Sequence, residues 1–400
     1  MAKLIDITGK AISGEWGNDD DAGTGIPVLR TTNFTNDGVI NYNNVVTRDI
    51  QKKDLSQKYL QPDDIIIEKS GGSDKQPVGR VVYYDGEPGK FLFNNFTGAL
   101  RVRDKSVWYP RYVFYALYGN YAKGGTRRYE NKTTGLHNLK TDQYVQDFVI
   151  QEQTPEYQQL VVSKLDKVSE LITLRKEQLA KLDQLVKSRF IELFGDPMAN
   201  PMGWDRVNIS AAVGGKLSNG FFAKRDDYCD DGNVKVLGVA HVVNRMYSNI
   251  EDLPKTNGTE TDVVKYGVKY GDMLFCRSSL VAAGIGKASI VPKGTPNNVL
   301  FECHVIRLPL DLEKCVPEFL QVLSTTDYFR KQVIAQSKTA TMTTIGQDGI
   351  LKTDIILPPM EMQKKFLAFV EHTEKSKLAI QQSLDKLELL KKSLMQEYFG

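Results

Sequence analysis

Two stretches of forty residues decide the fold: EYQQLVVSKLDKVSELITLRKEQLAKLDQLVKSRFIELFG, residues 156–195, and EMQKKFLAFVEHTEKSKLAIQQSLDKLELLKKSLMQEYFG, residues 361–400. A shift of 205 positions aligns them without a gap, and eleven of the forty positions are then identical. Chance alone would leave roughly two or three identities, so this is an internal repeat with a period of about half the chain.

Both stretches have an apolar seam of the kind found in coiled coils, with steps of three and four residues. The seam residues are Val161, Leu165, Val168, Ile172, Leu179, Leu182, Val186 and Leu193 in the first stretch, and Phe366, Val370, Ile380, Leu384, Leu387, Leu394 and Tyr398 in the second. At about 1.5 Å per residue, each helix is expected to be roughly 60 Å long. A narrow seam left in water buries too little area to offset the ordering entropy, so we expect the helices to pack on each other. The alternative is that each packs on its own preceding domain.

The segments upstream of the two helices also correspond. Residues 61–70 match residues 269–278, and each reads as a turn, a short buried strand, a cation and a hydroxyl. Pro110 and Pro317 each begin an apolar segment, and proline suits the first turn of a helix. We therefore predict an α+β chain with two homologous mixed α/β domains. The predicted segments are a first domain at 1–152, a helix and linker at 153–197, a second domain at 198–358 and a helix at 359–400.

Composition excludes several classes of protein. With 41% hydrophobic and 25% charged residues, the chain is neither disordered nor fibrous. The 52 basic and 49 acidic side chains leave a formal charge of +3, so any basic surface must be local. No apolar stretch approaches the ~20 residues that span a bilayer, and we find no signal sequence. We expect a cytoplasmic chain without a membrane contact, whose cysteines, Cys229, Cys276, Cys303 and Cys315, are reduced thiols.

We find no motif for catalysis or for a cofactor. The segment 284–288, Gly-Ile-Gly-Lys-Ala, lacks the first glycine and the final hydroxyl of a phosphate loop. Pro62-Asp63 and Glu68-Lys69 lack the spacing of a metal-dependent nuclease, and no Asn/Asp-Pro-Pro-Tyr/Phe motif for amino-group methylation occurs. The histidines, His137, His241, His304 and His372, have no ligand spacing. We predict no catalytic residue, no bound cofactor and no metal site in this chain.

Local charge is more informative. Residues 121–140 hold five cations and a single acid, and residues 330–344 hold three cations, no acid and a run of hydroxyls. Each domain is therefore predicted to end in a flexible cationic loop. Such side chains neutralise phosphates and set the register on a duplex. A single loop of this kind is more often a solvated surface loop, but its recurrence in both halves leaves the two interpretations in balance.

These features resemble the specificity subunits of Type I restriction-modification systems over nearly the whole chain. The resemblance lies in the duplicated layout, in Ile26-Pro-Val-Leu-Arg30, in the helix end Leu193-Phe-Gly-Asp-Pro197 before Gly203-Trp204, and in Leu357-Pro-Pro-Met-Glu361-Met-Gln363. The first helix departs from the pattern, because Gln153-Thr-Pro-Glu156-Tyr-Gln158 has one proline.

The resemblance implies two target-recognition domains on two long antiparallel coiled-coil helices with a pseudo-twofold relation. Each domain would read one half of a bipartite sequence in double-stranded DNA, and the helices would set the gap. It also implies two adenine-N6 methyltransferase subunits and restriction subunits as partners. S-adenosylmethionine, ATP and magnesium would be bound by those partners, and this chain would not be an enzyme. The alternative is a structural adaptor whose coiled coil spaces two protein-binding domains, and a stand-alone nuclease or methyltransferase is disfavoured by the missing motifs.

The predicted DNA contacts are the cations and hydroxyls that the repeat places alike in the two halves. They are Lys69, Ser70, Arg80, Arg127, Arg128, Lys132 and Thr134 in the first half, and Arg277, Ser278, Lys287, Lys338 and Thr344 in the second.

Overall fold

The computed structural model describes residues 1–52, 54–133 and 136–400 and confirms the α+β class. The chain divides into two compact units: unit 1 is Met1–Lys176 with Gln382–Gly400, and unit 2 is Glu177–Gln381. The two cuts fall at equivalent points of the repeat, since Lys176 and Gln381 are 205 positions apart. Both long helices, Pro155–Phe194 and Met360–Phe399, therefore contribute to both units. The division into four segments stays a prediction, because the compact units cut both helices.

The described residues of unit 1 form short strands and three α-helices besides the long ones. The helices are Leu4–Thr8, Pro110–Ala122 and Thr141–Asp147, with 3-10 turns at Thr31–Asn33 and Arg127–Tyr129. The strands are Ala2–Lys3, Ile12–Ser13, Asn18–Asp19, Ile26–Leu29, Val46–Asp49, Ile65–Glu68, Ser70–Gly72, Val81–Tyr83, Leu92–Phe93, Thr97–Leu100, Glu130–Thr133, Leu136–Leu139 and Val149–Ile150.

Unit 2 has a similar composition of elements. Its shorter helices are Val239–Val242, Glu260–Tyr266, Pro317–Thr325, Asp327–Ala335 and Gln347–Leu351, with 3-10 turns at Ile209–Ala212, Arg225–Asp227 and Ala282–Gly284. Its strands are Arg206–Asn208, Ser218–Asn219, Val234–Leu237, Lys255–Thr256, Asp272–Cys276, Ser278–Ser279, Ala288–Ile290, Val299–Phe301, Val305–Pro309, Lys338–Thr339, Thr343–Thr344 and Asp354–Ile356.

The two units share the order of their central antiparallel sheet. In unit 1 the order is Ile12–Ser13, Thr97–Leu100, Ile65–Glu68 and Val81–Tyr83; in unit 2 it is Ser218–Asn219, Val305–Pro309, Asp272–Cys276 and Ala288–Ile290. Each unit also pairs one strand in parallel with a later one, Ile26–Leu29 with Leu92–Phe93 and Val234–Leu237 with Val299–Phe301. The predicted homology of the two domains is thus confirmed at the level of strand order.

The core of unit 1 includes both long helices. Val161 and Leu165 of the first helix and Met395 of the second are buried against the domain. The Lys164 ammonium donates to the Tyr398 hydroxyl at 3.2 Å. Early residues of one helix therefore lie against late residues of the other, and the helices run antiparallel within this unit.

The core of unit 2 uses the other halves of the same helices. Phe190 and Phe194 pack on Phe366, with ring centroids 5.6 and 5.7 Å apart. The Lys377 ammonium lies 2.7 Å from an Asp183 carboxylate oxygen. The helices are again antiparallel, and the prediction that they pack on each other is confirmed. In each unit they also pack on the domain, so the alternative packing is present as well.

The two cationic stretches are not the flexible loops that the sequence suggested. In unit 1, Glu130–Thr133 and Leu136–Leu139 form a hairpin that adds to the strand Ser70–Gly72. In unit 2, Lys338–Thr339 and Thr343–Thr344 add to Ser278–Ser279 in the same way. The loop prediction is wrong because these residues pair with strands that lie far earlier in the chain. We call these two three-stranded assemblies the hairpin sheets of unit 1 and unit 2.

Within the described part of the chain, every helix is too short or too polar to span a lipid bilayer.

Candidate nucleic-acid interface

The hairpin sheet of unit 1 is held by a buried histidine. His137 Nδ1 lies 2.9 Å from a carboxylate oxygen of Glu130, and His137 Nε2 lies 3.6 Å from Asp74. The other Glu130 oxygen accepts a hydrogen bond from the Val78 amide at 3.0 Å. These bonds connect the hairpin to the turn that follows the strand Ser70–Gly72, so the side chains on it have defined positions.

Three predicted cations of unit 1 are exposed at this sheet: Lys132 on its outer strand, and Arg127 and Arg128 in the 3-10 turn before that strand. The Lys132 ammonium lies 2.8 Å from an Asp74 carboxylate oxygen, and this bond lowers the pKa of Asp74. Because both side chains are mostly exposed, the pair is worth little in water and can be exchanged for a phosphate. Arg127 donates to the Asp74 carbonyl at 3.2 Å, and Arg128 stacks over the Tyr129 ring. Thr134 lies outside the described residues.

Lys69, Ser70 and Arg80 lie at the base of the sheet. Arg80 donates to the Thr31 and Phe34 carbonyls at 3.0 and 3.1 Å, and it lies 3.3 Å from Glu68. Burial raises the pKa of Glu68, and the charge of Arg80 opposes that rise. Burial also lowers the pKa of Lys69. The guanidinium of Arg80 is thus engaged inside the unit, whereas Ser70 pairs with Asn138 in the sheet.

The hairpin sheet of unit 2 brings together three predicted residues. Thr344 lies opposite Ser278 on one side and opposite Lys338 on the other. Lys338 and Thr344 are exposed, and Ser278 is partly exposed. Side chains that were 60 or more positions apart in the sequence therefore share one small surface.

Arg277 and Lys287 lie at the base of this second sheet. Arg277 donates to the Cys303 carbonyl at 3.1 Å, and its own carbonyl accepts from the Ile345 amide at 3.0 Å. The Lys287 ammonium donates to the Asn244 side chain at 2.7 Å. Both side chains are only partly exposed. The predicted cations thus fall into two groups: exposed ones on the hairpins or just before them, and partly buried ones close to the first strand of each sheet.

The charge of the second sheet is one-sided. Residues 277–301 and 328–347 contain no Asp or Glu, and they supply the sheet, the turn after its first strand and, apart from its first residue Asp327, the helix before the hairpin. This local excess of cations favours a positive potential, which attracts a polyanion.

Two clefts were missed by sequence reasoning. In unit 2 a cleft of about 570 Å³ is lined by Asp183, Val186, Lys187, Glu374 and Lys377 of the long helices, together with domain residues that include Arg245, Lys287 and Arg330. In unit 1 a cleft of about 360 Å³ is lined by residues that include Ser169, Ile172, Glu388, Lys391 and Lys392. The shift of 205 converts every helix position of the first cleft into a lining position of the second. The sequence did hold a signal for these clefts: Lys187 and Lys392 are identical in the repeat, and Asp183 and Glu388 are both acids.

Both clefts keep exposed cations while their acids are paired. Asp183 lies 2.7 Å from the Lys377 ammonium, and Glu388 lies 3.4 Å from that of Lys176. Lys187 and Lys392 are exposed at the two equivalent rims. The two clefts therefore present the same cation at equivalent rims.

Comparison with known proteins shows which family this chain resembles. The family model described as Type I restriction modification DNA specificity domain matches residues 2–184. The EcoKI specificity subunit of Escherichia coli K12 is 23% identical over 375 residues, covering 86% of this chain and 75% of that protein. The HindI specificity subunit of Haemophilus influenzae is 26% identical over 187 residues, covering 44% and 38%.

Two solved structures share the fold. The specificity subunit of a Type I system from M. genitalium has a TM-score of 0.56 at 10% identity, covering 100% of this chain and 95% of that one. A structure solved to explain assembly and conformational transition of the Type I system has a TM-score of 0.51 at 14% identity, covering 100% and 96%. Residues 2–184 thus match a Type I specificity domain, and the resemblance to Type I specificity subunits that the sequence indicated is confirmed.

Both curated relatives are named as specificity subunits, the class of subunit that the sequence resembles. Within residues 1–52, 54–133 and 136–400, no three His, Cys, Asp or Glu side chains are grouped as metal ligands would be.

Proposed function

We propose that this chain gives a Type I restriction-modification complex its DNA sequence specificity, and that each hairpin sheet reads one half of a bipartite target. The observation that carries the proposal is the repeated placement of an exposed cation on a hairpin that adds to the strand after the buried core strand. Lys132 in unit 1 and Lys338 in unit 2 occupy hairpin strands of this kind. Because the two units carry hairpin sheets of the same design, the chain is suited to contact one kind of ligand at two places.

Exposed cations supply affinity, and neutral groups supply register. Lys132, Arg127 and Lys338 would neutralise phosphates, whereas Ser278, Thr344 and backbone amides would hydrogen-bond to the duplex. Base edges in the major groove differ for every base pair, so a few contacts for each sheet suffice to define a half-site. Arg80, with its guanidinium engaged internally, would position the sheet rather than contact the duplex. Lys69, Ser70, Arg128, Arg277 and Lys287 remain proposed contacts, and so does Thr134.

The equivalent clefts fit the recruitment of two identical partners. Two adenine-N6 methyltransferase subunits could each present the same acidic surface, once to Lys187 and once to Lys392. Restriction subunits would join through those partners, and S-adenosylmethionine, ATP and magnesium would be bound by the partners. The length of the two long helices would set the unread gap between the half-sites, since each helix contributes to both units.

Mapping of methylated adenines in a host with and without this chain tests the proposal. The expected result is one bipartite motif that is lost when the chain is deleted. Replacing residues 338–344 by an unrelated hairpin of equal length should change only one half of that motif. The proposal would be contradicted, and a structural adaptor favoured, if the chain assembled with its partners but its deletion left the methylation map unaltered.

A further inference from the structure

A hydrogen-bonded turn in unit 2 exposes two aliphatic side chains. The turn follows the first strand of the hairpin sheet, and at its tip Leu280 is 83% exposed and Val281 is 63% exposed. The Val281 amide donates to the Ser279 hydroxyl at 3.3 Å, and the Gly284 amide donates to the Val281 carbonyl at 3.0 Å. We call Leu280 and Val281 the apolar tip. Its backbone is closed by local hydrogen bonds, so the tip has a defined shape.

The base of the turn is fixed in the core. Ile285 is fully buried, and the Gly286 amide donates to the Cys276 carbonyl at 2.8 Å. Gly286 has φ +63°, and a Cβ there would lie 2.3 Å from a Val333 methyl, so the backbone lies directly on the helix Asp327–Ala335. From the same helix, Arg330 donates to the Ala283 carbonyl at 3.1 Å. The tip therefore cannot fold inward to bury its own aliphatic groups without breaking these contacts.

The charge around the tip indicates its partner. Residues 277–288 form the first strand of the sheet and the turn, and residues 328–339 run from the helix, after its first residue Asp327, to the hairpin strand. Together they supply five cations and no acid: Arg277, Lys287, Arg330, Lys331 and Lys338. Arg330 holds the turn itself, and Lys338 lies on the sheet that the turn leaves. An apolar tip in such a setting complements a polyanion that also presents apolar surface, as duplex DNA does in its grooves.

Unit 1 lacks this feature. The shift that pairs Asp64 with Asp272 places Gly72 and Ser73 at the positions of the tip, and Asp74 follows them. Asp74 bonds with Lys132 in that unit. In unit 1 this turn is therefore polar, and its acid is bonded to Lys132. In unit 2 the turn is apolar at its tip and contains no acid.

We propose, on the basis of the function proposed above, that the apolar tip contacts base edges and makes unit 2 a reader of thymine methyl groups. The thymine C5-methyl is the one apolar group that a base edge presents in the major groove, and aliphatic side chains recognise it. Unit 2 would then discriminate its half-site partly by apolar contact, whereas unit 1 would rely on polar contacts at the equivalent position.

The test uses the chain assembled with its methyltransferase subunits and a duplex that carries the mapped target. Leu280→Ser should weaken binding of this duplex roughly tenfold, because an aliphatic contact is lost and a hydroxyl is added. The dependence of affinity on salt should stay unchanged, since no phosphate contact is removed. Val264→Ser is the matched control: Val264 is 85% exposed on the helix Glu260–Tyr266, and its replacement should leave affinity unchanged.

Replacement of thymine by uracil identifies the contact, because uracil lacks only the methyl group. Uracil in one half-site should weaken binding by the wild-type chain and should have no further effect on Leu280→Ser; uracil in the other half-site should act equally on both chains. Equal effects of uracil on wild type and variant in both half-sites would overturn the inference. So would unchanged DNA affinity with weakened subunit assembly, which would make the tip a protein-docking surface. Failure of the wild-type complex to prefer its mapped target would instead refute the proposed function.

Discussion

The buried side chain of Gln158 accepts a hydrogen bond from the Tyr109 amide at 2.8 Å, which joins the first long helix to the domain that precedes it. Tyr109 is the residue before the helix Pro110–Ala122, whose first amides have no partner within the helix. The Gln158 amide group donates to the Val107 and Gln153 carbonyls at 2.9 Å. One side chain thus connects the start of the long helix with the start of a domain helix.

Unit 2 contains the same arrangement. Gln363 accepts from the Val316 amide at 2.9 Å, next to the helix Pro317–Thr325, and it donates to the Pro358 carbonyl at 2.8 Å. Gln158 and Gln363 occupy equivalent positions of the repeat. The glutamine that marked the repeat in the sequence therefore attaches each long helix to its domain.

Gln158→Ala should lower the free energy of unfolding of unit 1 by about 2–4 kcal/mol, because it leaves the Tyr109 amide and two carbonyls without their buried partner. Urea denaturation followed by tryptophan fluorescence measures the change. The neighbouring Gln159 is exposed, and Gln159→Ala should have little effect. Equal loss of stability in the two variants would show that helix propensity, rather than the buried hydrogen bonds, is being measured.

Glu318 makes the stability of unit 2 depend on pH. Burial raises the pKa of Glu318, while the Tyr247 and Tyr270 hydroxyls, which donate to it at 2.9 and 3.3 Å, and the charge of Lys293 oppose the rise. The folded state then binds the proton more tightly than the unfolded state, so stability declines as pH rises through the range between the two pKa values.

Glu318→Gln keeps an oxygen for the two tyrosines and removes the titration. The variant should match the wild type in unfolding free energy at acidic pH and become relatively more stable as pH rises above the ordinary glutamate range. Urea denaturation of both chains between pH 4 and pH 8 gives the difference. A difference that stays constant with pH would mean that Glu318 titrates alike in the folded and unfolded states.

The proposed binding of methyltransferase subunits at the two clefts can be tested by substituting equivalent residues of the repeat. Lys187→Glu and Lys392→Glu should each weaken one methyltransferase binding site by about tenfold, and the double variant should weaken both, since a cation facing an acidic surface becomes an anion. Analytical ultracentrifugation of the assembled subunits counts the partners bound. Lys181 and Lys386 are also identical in the repeat and exposed on the same helices, but they do not line the clefts. Lys181→Glu with Lys386→Glu is therefore the control, and equal effects would contradict a role for the clefts.

Lys338→Ala removes one phosphate contact. It should therefore reduce the slope of log affinity against log salt concentration by about one, and weaken DNA binding several-fold at low salt. Lys314 provides a control, since its ammonium already lies 2.8 Å from Asp311. Affinity of the assembled complex for its target, measured at several salt concentrations, separates the two variants. An unchanged salt slope for Lys338→Ala would remove this residue from the set of phosphate contacts.

The sequence predicted the elements whose signals are local. The long helices and the helices that begin at Pro110 and Pro317 follow from periodicity and from the place of proline in a first turn. The hairpin sheets were missed because a strand such as Lys338–Thr339 is only two residues long and depends on pairing through Thr344 with Ser278. The clefts were missed for a related reason: their walls come from both long helices and from a domain, and only packing brings them together.

The proposed control of the unread gap by helix length can be tested at the point where the compact units divide the helices. Four residues inserted after Lys176 and four after Gln381 add about 6 Å to each helix at equivalent places, so neither helix is displaced against its domain or its partner within a unit. Methylation mapping should then show both half-sites unchanged and a gap longer by roughly two base pairs, given ~3.4 Å for each pair.

Insertion after Lys176 alone is the informative control. It offsets one helix against the other, and we expect loss of assembly or of methylation rather than a new gap. If the double insertion changed a half-site and left the gap as it was, helix length would not set the spacing. The half-sites should stay constant because the hairpin sheets lie at residues 70–139 and 278–344, well away in sequence from both insertions.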